Sequence, residues 1–130
     1  MLYAILCYHD EDMVGSWSKE HDASVMQKLS VVQDKLARQG RLGPVARLLP
    51  TTAATTLRKE NPPLVLDGPF AETKEQLLGF YLVEGKNLDE VLDIARDLGE
   101  ANPGGTYEIR PVGYFNQGSA KETAKGSETA

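Results

Sequence analysis

The alternation of apolar and polar positions predicts a β-α-β-β-β-β-α-β chain. Residues 2–8, "LYAILCY", form a short apolar run with aromatic and β-branched content, as a central strand does. An acidic loop, "HDEDMVGS", follows. Ser18 is then placed as an N-cap, with Glu20 and Asp22 in the first turn where the helix dipole favours them. Val25, Leu29, Val32 and Leu36 recur at helical spacing and Gly40 ends the run, so a helix is expected over about residues 18–39. Residues 42–49 and 53–58, broken by Pro50, predict two strands or a hairpin. "LVLD" and "LLGFYLVEG" add two strands. Asn87 with Glu90 matches a capping box, and Leu88, Val91, Leu92, Ala95 and Leu98 give a second helix its apolar stripe. "NPGG" is a turn, and "TYEIRPVGYF" the last strand, its Pro111 favouring an edge or a strand end.

This order describes an α+β, ferredoxin-like split βαβ unit with an enlarged central hairpin region. One domain over residues 1–117 is expected, with the polar, apolar-poor stretch 118–130 as a disordered tail. Both faces of the sheet are apolar. Tyr3, Ile5 and Cys7 point one way and Ala4, Leu6 and Tyr8 the other; Leu78, Phe80 and Leu82 oppose Tyr81 and Val83 in the same sense. Two helices cover one face, so a second copy is expected against the other, in a two-fold homodimer.

Composition narrows the function classes. The net charge is −5, from 14 basic and 19 acidic residues with no basic run, which argues against a nucleic-acid partner. The first apolar run is too short for a signal or spanning helix and has no basic leader, so the expectation is a cytoplasmic protein without a membrane partner. The lone Cys7 has no second cysteine to pair with and reads as a structural thiol in a strand. His9 with Asp10, Glu11 and Asp12 lacks metal-ligand spacing, and no metal or cofactor is expected.

The segment "DGPF" (67–70) combines two turn dipeptides. An Asx-turn at Asp67 would need the N–H two residues on, which Pro69 lacks, so the carboxylate must reach further or point elsewhere. Phe70 is expected to anchor in the core, and Thr73 with Gln76 to cap one short helical turn. The longer stretch "LDGPFAETKEQLLGFYLV" resembles the signature of DGPF-domain proteins of the YCII-related family, and the likeness runs from "MLYAILCY" through "YEIRPV", about residues 1–112. The resemblance implies a dimeric α+β barrel. It also implies relatives thought to act on small molecules through a His–Asp pair, and DGPF domains that occur beside sigma factors.

His21 lies in the first turn of the first long helix, where the resemblance places a histidine. With Asp67 as its orienter it forms the candidate catalytic pair, His21 acting as general base; the bland alternative is a solvated first-turn histidine. Arg110 on the last strand is a candidate anion contact or a cross-strand partner of Glu108, and Tyr81, Phe70 and Glu72 are further candidate ligand contacts. Three function classes follow: a cofactor-independent lyase or isomerase acting on a small molecule in a pocket at the sheet/dimer cleft, a ligand-sensing or regulatory module, linked to a sigma factor, whose dimer cleft binds a metabolite or partner protein, and a structural scaffold. A concave pocket with an acid–base pair would mark the first, and a pocket without one the second.

Overall fold

The computed structural model describes residues 1–120, and the end of the expected tail, residues 121–130, lies outside them. The elements are β1 (Leu2–His9), α1 (Glu11–Gly15), α2 (Lys19–Arg38), β2 (Leu42–Arg47), a 3₁₀ turn (Thr51–Ala53), β3 (Thr55–Arg58), β4 (Leu64–Asp67), β5 (Gln76–Glu84), α3 (Leu88–Ala101) and β6 (Thr106–Pro111). Both long helices start where their caps dictate. Ser18 Oγ accepts the N–H of His21 at 3.0 Å, and Asn87 Oδ1 accepts that of Glu90, also at 3.0 Å. The Glu90 carboxylate reaches back to the N–H of Lys86, one residue outside the usual capping box. Past α2, Gly40 takes φ +69°, the left-handed conformation that ends a helix at least cost in glycine.

Four strands form one antiparallel sheet in the order β2-β5-β1-β6, the split βαβ arrangement of an α+β, ferredoxin-like fold. α2 and α3 cover one face. Their Val25, Leu29, Leu36, Val91, Ile94, Ala95 and Leu98 pack on Tyr3, Ile5, Tyr81 and Val83 of the sheet, with Ile5, Val83, Val91 and Leu98 fully buried. The opposite face carries Ala4, Leu6, Tyr8, Phe80 and Leu82, all only half-buried. Leu6 stands between Phe80 and Glu108 across the strands, and Ala4 between Leu82 and Arg110, so an apolar centre grades into charge at the β6 edge.

The enlarged central region is a separate two-stranded sheet in which β3 pairs with β4, so residues 53–58 turn back on "LVLD" rather than on β2. Every residue of β4 is exposed. The segment "HDEDMVGS" is not a loop throughout. Asp10 caps the one-turn helix α1 by accepting the N–H groups of Asp12 at 3.0 Å and Met13 at 3.4 Å. No helical turn forms at Thr73. Gln76 instead opens β5, its side-chain amide donating to the carbonyl of Thr73 while the Thr73 hydroxyl donates to that of Glu75. Phe70 does not anchor in the core; it is 78% exposed, because the turn that carries it leads out of the exposed β3–β4 hairpin.

Two irregularities mark the sheet, one between Leu42 and Val45 of β2 and one between β1 and β5. Cys7 pairs with Gly79 but Tyr8 pairs with Leu77, so Leu78 is an extra, bulged residue on β5 and does not simply continue the face of Phe80 and Leu82. On the other edge its carbonyl accepts the N–H of Leu48, prolonging the contact with β2 by a residue.

Candidate functional site

A cleft of about 880 Å³ opens where α1, the start of α2 and the end of β2 meet beside this bulge. Val14, Trp17, Met26, Val45, Leu48, Leu49, Pro50 and Leu78 make its walls predominantly apolar, with Glu11, Ser18, Lys19, Asp22 and Arg47 supplying the polar groups. An apolar concavity of this size with few convergent polar groups is the usual form of a small-molecule site. A second chamber of about 130 Å³ continues inward, sharing Val14, Met26, Val45, Ala46, Arg47 and Leu78 with the outer part and ending among Cys7, Val25, Leu29, Tyr81 and Asn102.

The local sequence explains each wall. Trp17 occupies the junction between α1 and α2, where its indole stands edge-on to His21 at 4.6 Å between ring centroids and to His9 at 6.3 Å. Gly79 lets β2 and β5 approach closely beside the inner chamber, since a Cβ there would collide with the carbonyl of Ala46. Glu11 ties α1 to the far wall by accepting the N–H and the hydroxyl of Thr51. Asp22 and Arg47 face each other at 3.4 Å, and Arg47 also lies 3.6 Å from the sulfur of Met26. Both side chains are substantially exposed, so solvent screens the pair and it adds little stability. Burial pushes the Cys7 thiol and the Tyr81 hydroxyl up to about 12, and the Tyr107 hydroxyl higher still. All three therefore stay protonated at neutral pH.

The residues singled out by chemistry alone are dispersed. His21 is exposed and does not line the cleft, and Asp67 lies at the exposed end of β4 opposite Thr55. Among the described residues no hydrogen bond or ion pair joins His21 to Asp67. Gly68 takes φ +93° and its backbone bonds to Ala54 and Thr56, so "DGP" is the closing corner of the hairpin. Phe70 and Glu72 are exposed beyond it, and Arg110 is exposed on the β6 edge. Tyr81 alone of the candidates enters the cavity system, lining the inner chamber. Among the described residues no group of three or more His, Cys, Asp or Glu is arranged to hold a metal ion, and no helix is long and apolar enough to cross a membrane.

Sequence reasoning missed Trp17, Met26, Arg47 and Asn102. The one available signal was the position of the single tryptophan at a loop-to-helix junction, a costly residue to leave in a loop unless it has something to pack on.

Comparison with known proteins places these features in a family. A protein of Rhizobium meliloti (strain 1021), itself uncharacterised, is 60% identical over 120 residues, spanning 91% of this chain and 97% of its own length. The model of the YCII-related domain matches residues 1–116, which takes in the whole sheet, both long helices and the cleft. The chain belongs to the YCII-related family.

Proposed function

We propose that this protein is a non-catalytic, homodimeric ligand-sensing module that holds a small, largely apolar molecule in the cleft between α1, α2 and β2. The observation that carries this reading is the state of the cleft's ionisable side chains. No histidine lines it, the Glu11 carboxylate is engaged by Thr51, and Asp22 is engaged by Arg47. A site built for proton transfer is expected to turn a histidine or an unpartnered carboxylate toward substrate, and here each carboxylate already faces a partner, which leaves Lys19 as the remaining ionisable group of the cleft. The homodimer is supported by the half-buried apolar face of Leu6, Tyr8, Phe80 and Leu82, which a second copy would cover.

The alternative, a cofactor-independent lyase or isomerase using His21, Asp67 and Arg110, would have to act outside the cleft, since none of the three lines it. Trp17 provides a direct test, because it is the single tryptophan and lines the cleft. Titration with a metabolite set is expected to give saturable changes in its emission and a raised melting temperature, with the ligand recovered unaltered. Chemical conversion of the ligand, abolished in His21→Ala, would establish the enzyme reading. Uniform silence across the set would count against any small-molecule role.

A further inference from the structure

The formal charges of the outer cleft, Glu11 and Asp22 against Lys19 and Arg47, balance, but they are not equally available to a guest. Both oxygens of Glu11 are taken up by Thr51, which fixes that carboxylate in the joint between α1 and the turn after β2. Asp22 meets Arg47 through a single contact of 3.4 Å, so most of the guanidinium N–H groups keep no carboxylate partner. Lys19 also lines the cleft, and among the described residues its ammonium enters no ion pair.

Lys19 and Asp22 are three residues apart on α2 and so share a face, which puts both cations on the α2–β2 side with one carboxylate between two positive charges. The positive sign carries inward. Burial and the nearby Cys7 raise the Tyr81 hydroxyl, and the charge of Arg47 opposes the rise. The rest of that side is apolar surface left open to water: Met26, Val45, Leu48 and Leu49 are 40–61% exposed. Covering them would drive the binding of an apolar body, and an anionic group on that body would meet an uncommitted cation. A cationic group has no such opening, because it must draw Glu11 from Thr51 or Asp22 from Arg47.

We infer that the ligand of the outer cleft is an amphipathic monoanion, its hydrocarbon part lying on Met26, Val45, Leu48 and Leu49 and its carboxylate held by Lys19, with Arg47 adding to the field. The inference rests on the cleft being a small-molecule site, as proposed above, and adds the chemical class of what enters it. Octanoate, 1-octanol and octylamine share one chain length and differ in the charge of the head group, so they separate this class from its neutral and cationic counterparts.

The test titrates each compound into the full chain at low ionic strength and follows the emission of Trp17, the single tryptophan and a residue of the cleft wall. Octanoate is expected to bind about three- to tenfold more tightly than 1-octanol, the worth of one or two exposed charge contacts, and octylamine more weakly than either. The preference for the acid is expected to shrink with added salt, to be largely lost in Lys19→Gln and to survive in Lys19→Arg. Lys19 is exposed at the start of α2, so neither substitution removes a buried contact, and circular dichroism confirms that both variants fold. 1-Octanol binding as tightly as octanoate would overturn the inference and leave the cleft to neutral ligands. An undiminished preference in Lys19→Gln would overturn the placing of the carboxylate. Silence from all three compounds would overturn the cleft reading along with the inference.

Discussion

Glu11 holds Thr51 by two bonds across 40 residues of chain, its carboxylate accepting both the backbone N–H and the side-chain hydroxyl. The same residue's own N–H donates to Gln76 Oε1 at 3.1 Å. One side chain and one amide therefore fasten α1 to the turn after β2 and to the start of β5. Glu11→Ala should remove the anchor and strand a half-buried N–H, costing about 1.5–3 kcal/mol for a hydrogen bond to a charged group. Thr51→Val, which keeps the N–H bond, should cost about 1 kcal/mol. Urea unfolding measures both, and equal stability of all three proteins would show the latch to be inert.

Gly79 is a second pressure point. Gly79→Ala forces a methyl group against the carbonyl of Ala46 at the closest approach of β2 and β5, and overpacking of this kind costs about 1–3 kcal/mol. The variant should melt lower than the parent and lose any ligand that reaches the inner chamber. Thermal melts and the Trp17 emission titration check the two effects separately.

The thiol of Cys7 predicts a pH dependence. Its folded-state value lies near 12 against an ordinary value of 9.0, because burial penalises the thiolate. Below about pH 9 both folded and unfolded chains keep the proton and stability does not depend on this group. Between 9 and 12 the unfolded chain loses the proton first, so the folded state is progressively disfavoured as pH rises. Stability should accordingly fall across that window, less steeply in Cys7→Ala once the difference in baseline stability is removed. A thiol reagent at pH 8 should leave Cys7 unmodified until urea unfolds the chain, and fast labelling of the native protein would contradict the burial argument.

The half-buried face offers the most direct check on assembly. Leu6 and Phe80 are direct cross-strand neighbours at its centre. A charge there would cost little in an isolated chain, where both residues already meet water in part, and would be prohibitive between two sheets. Light scattering should find a dimer for the parent and a folded monomer for Phe80→Asp. A monomeric parent would remove the dimer from the proposed function.

Much of the scaffold was legible in the residues, for identifiable reasons. Ser18 and Asn87 cap their helices, and the periodic apolar positions after each face the core, because capping and periodicity act within a few residues. The alternation of Tyr3 and Ile5 against Ala4 and Leu6 likewise gave the two faces correctly. Pairing was harder. That Thr55 finds Asp67 rather than a residue of β2 depends on loop closure and on which edge β5 leaves open, neither of which is written in either segment. Helix α1 has five residues, too few to show a period, and rests on one cap from Asp10. The cleft was least visible. Its walls come from Val14, Trp17, Met26 and Leu49, ordinary packing residues taken singly, whereas His21 and Asp67 attracted notice for what they can do chemically, which says nothing about where the chain puts them.

The extra residue Leu78 has an effect out of proportion to its size. Strands joined in perfect step offer the layer above them a continuous floor, and a continuous floor leaves no room for a guest. By slipping the ladder one place between Cys7 and Tyr8, the bulge ends that floor early and sends Leu78 into the walls of both chambers. Delete that single codon and the step would be restored, and the two chambers would lose a wall residue that they share.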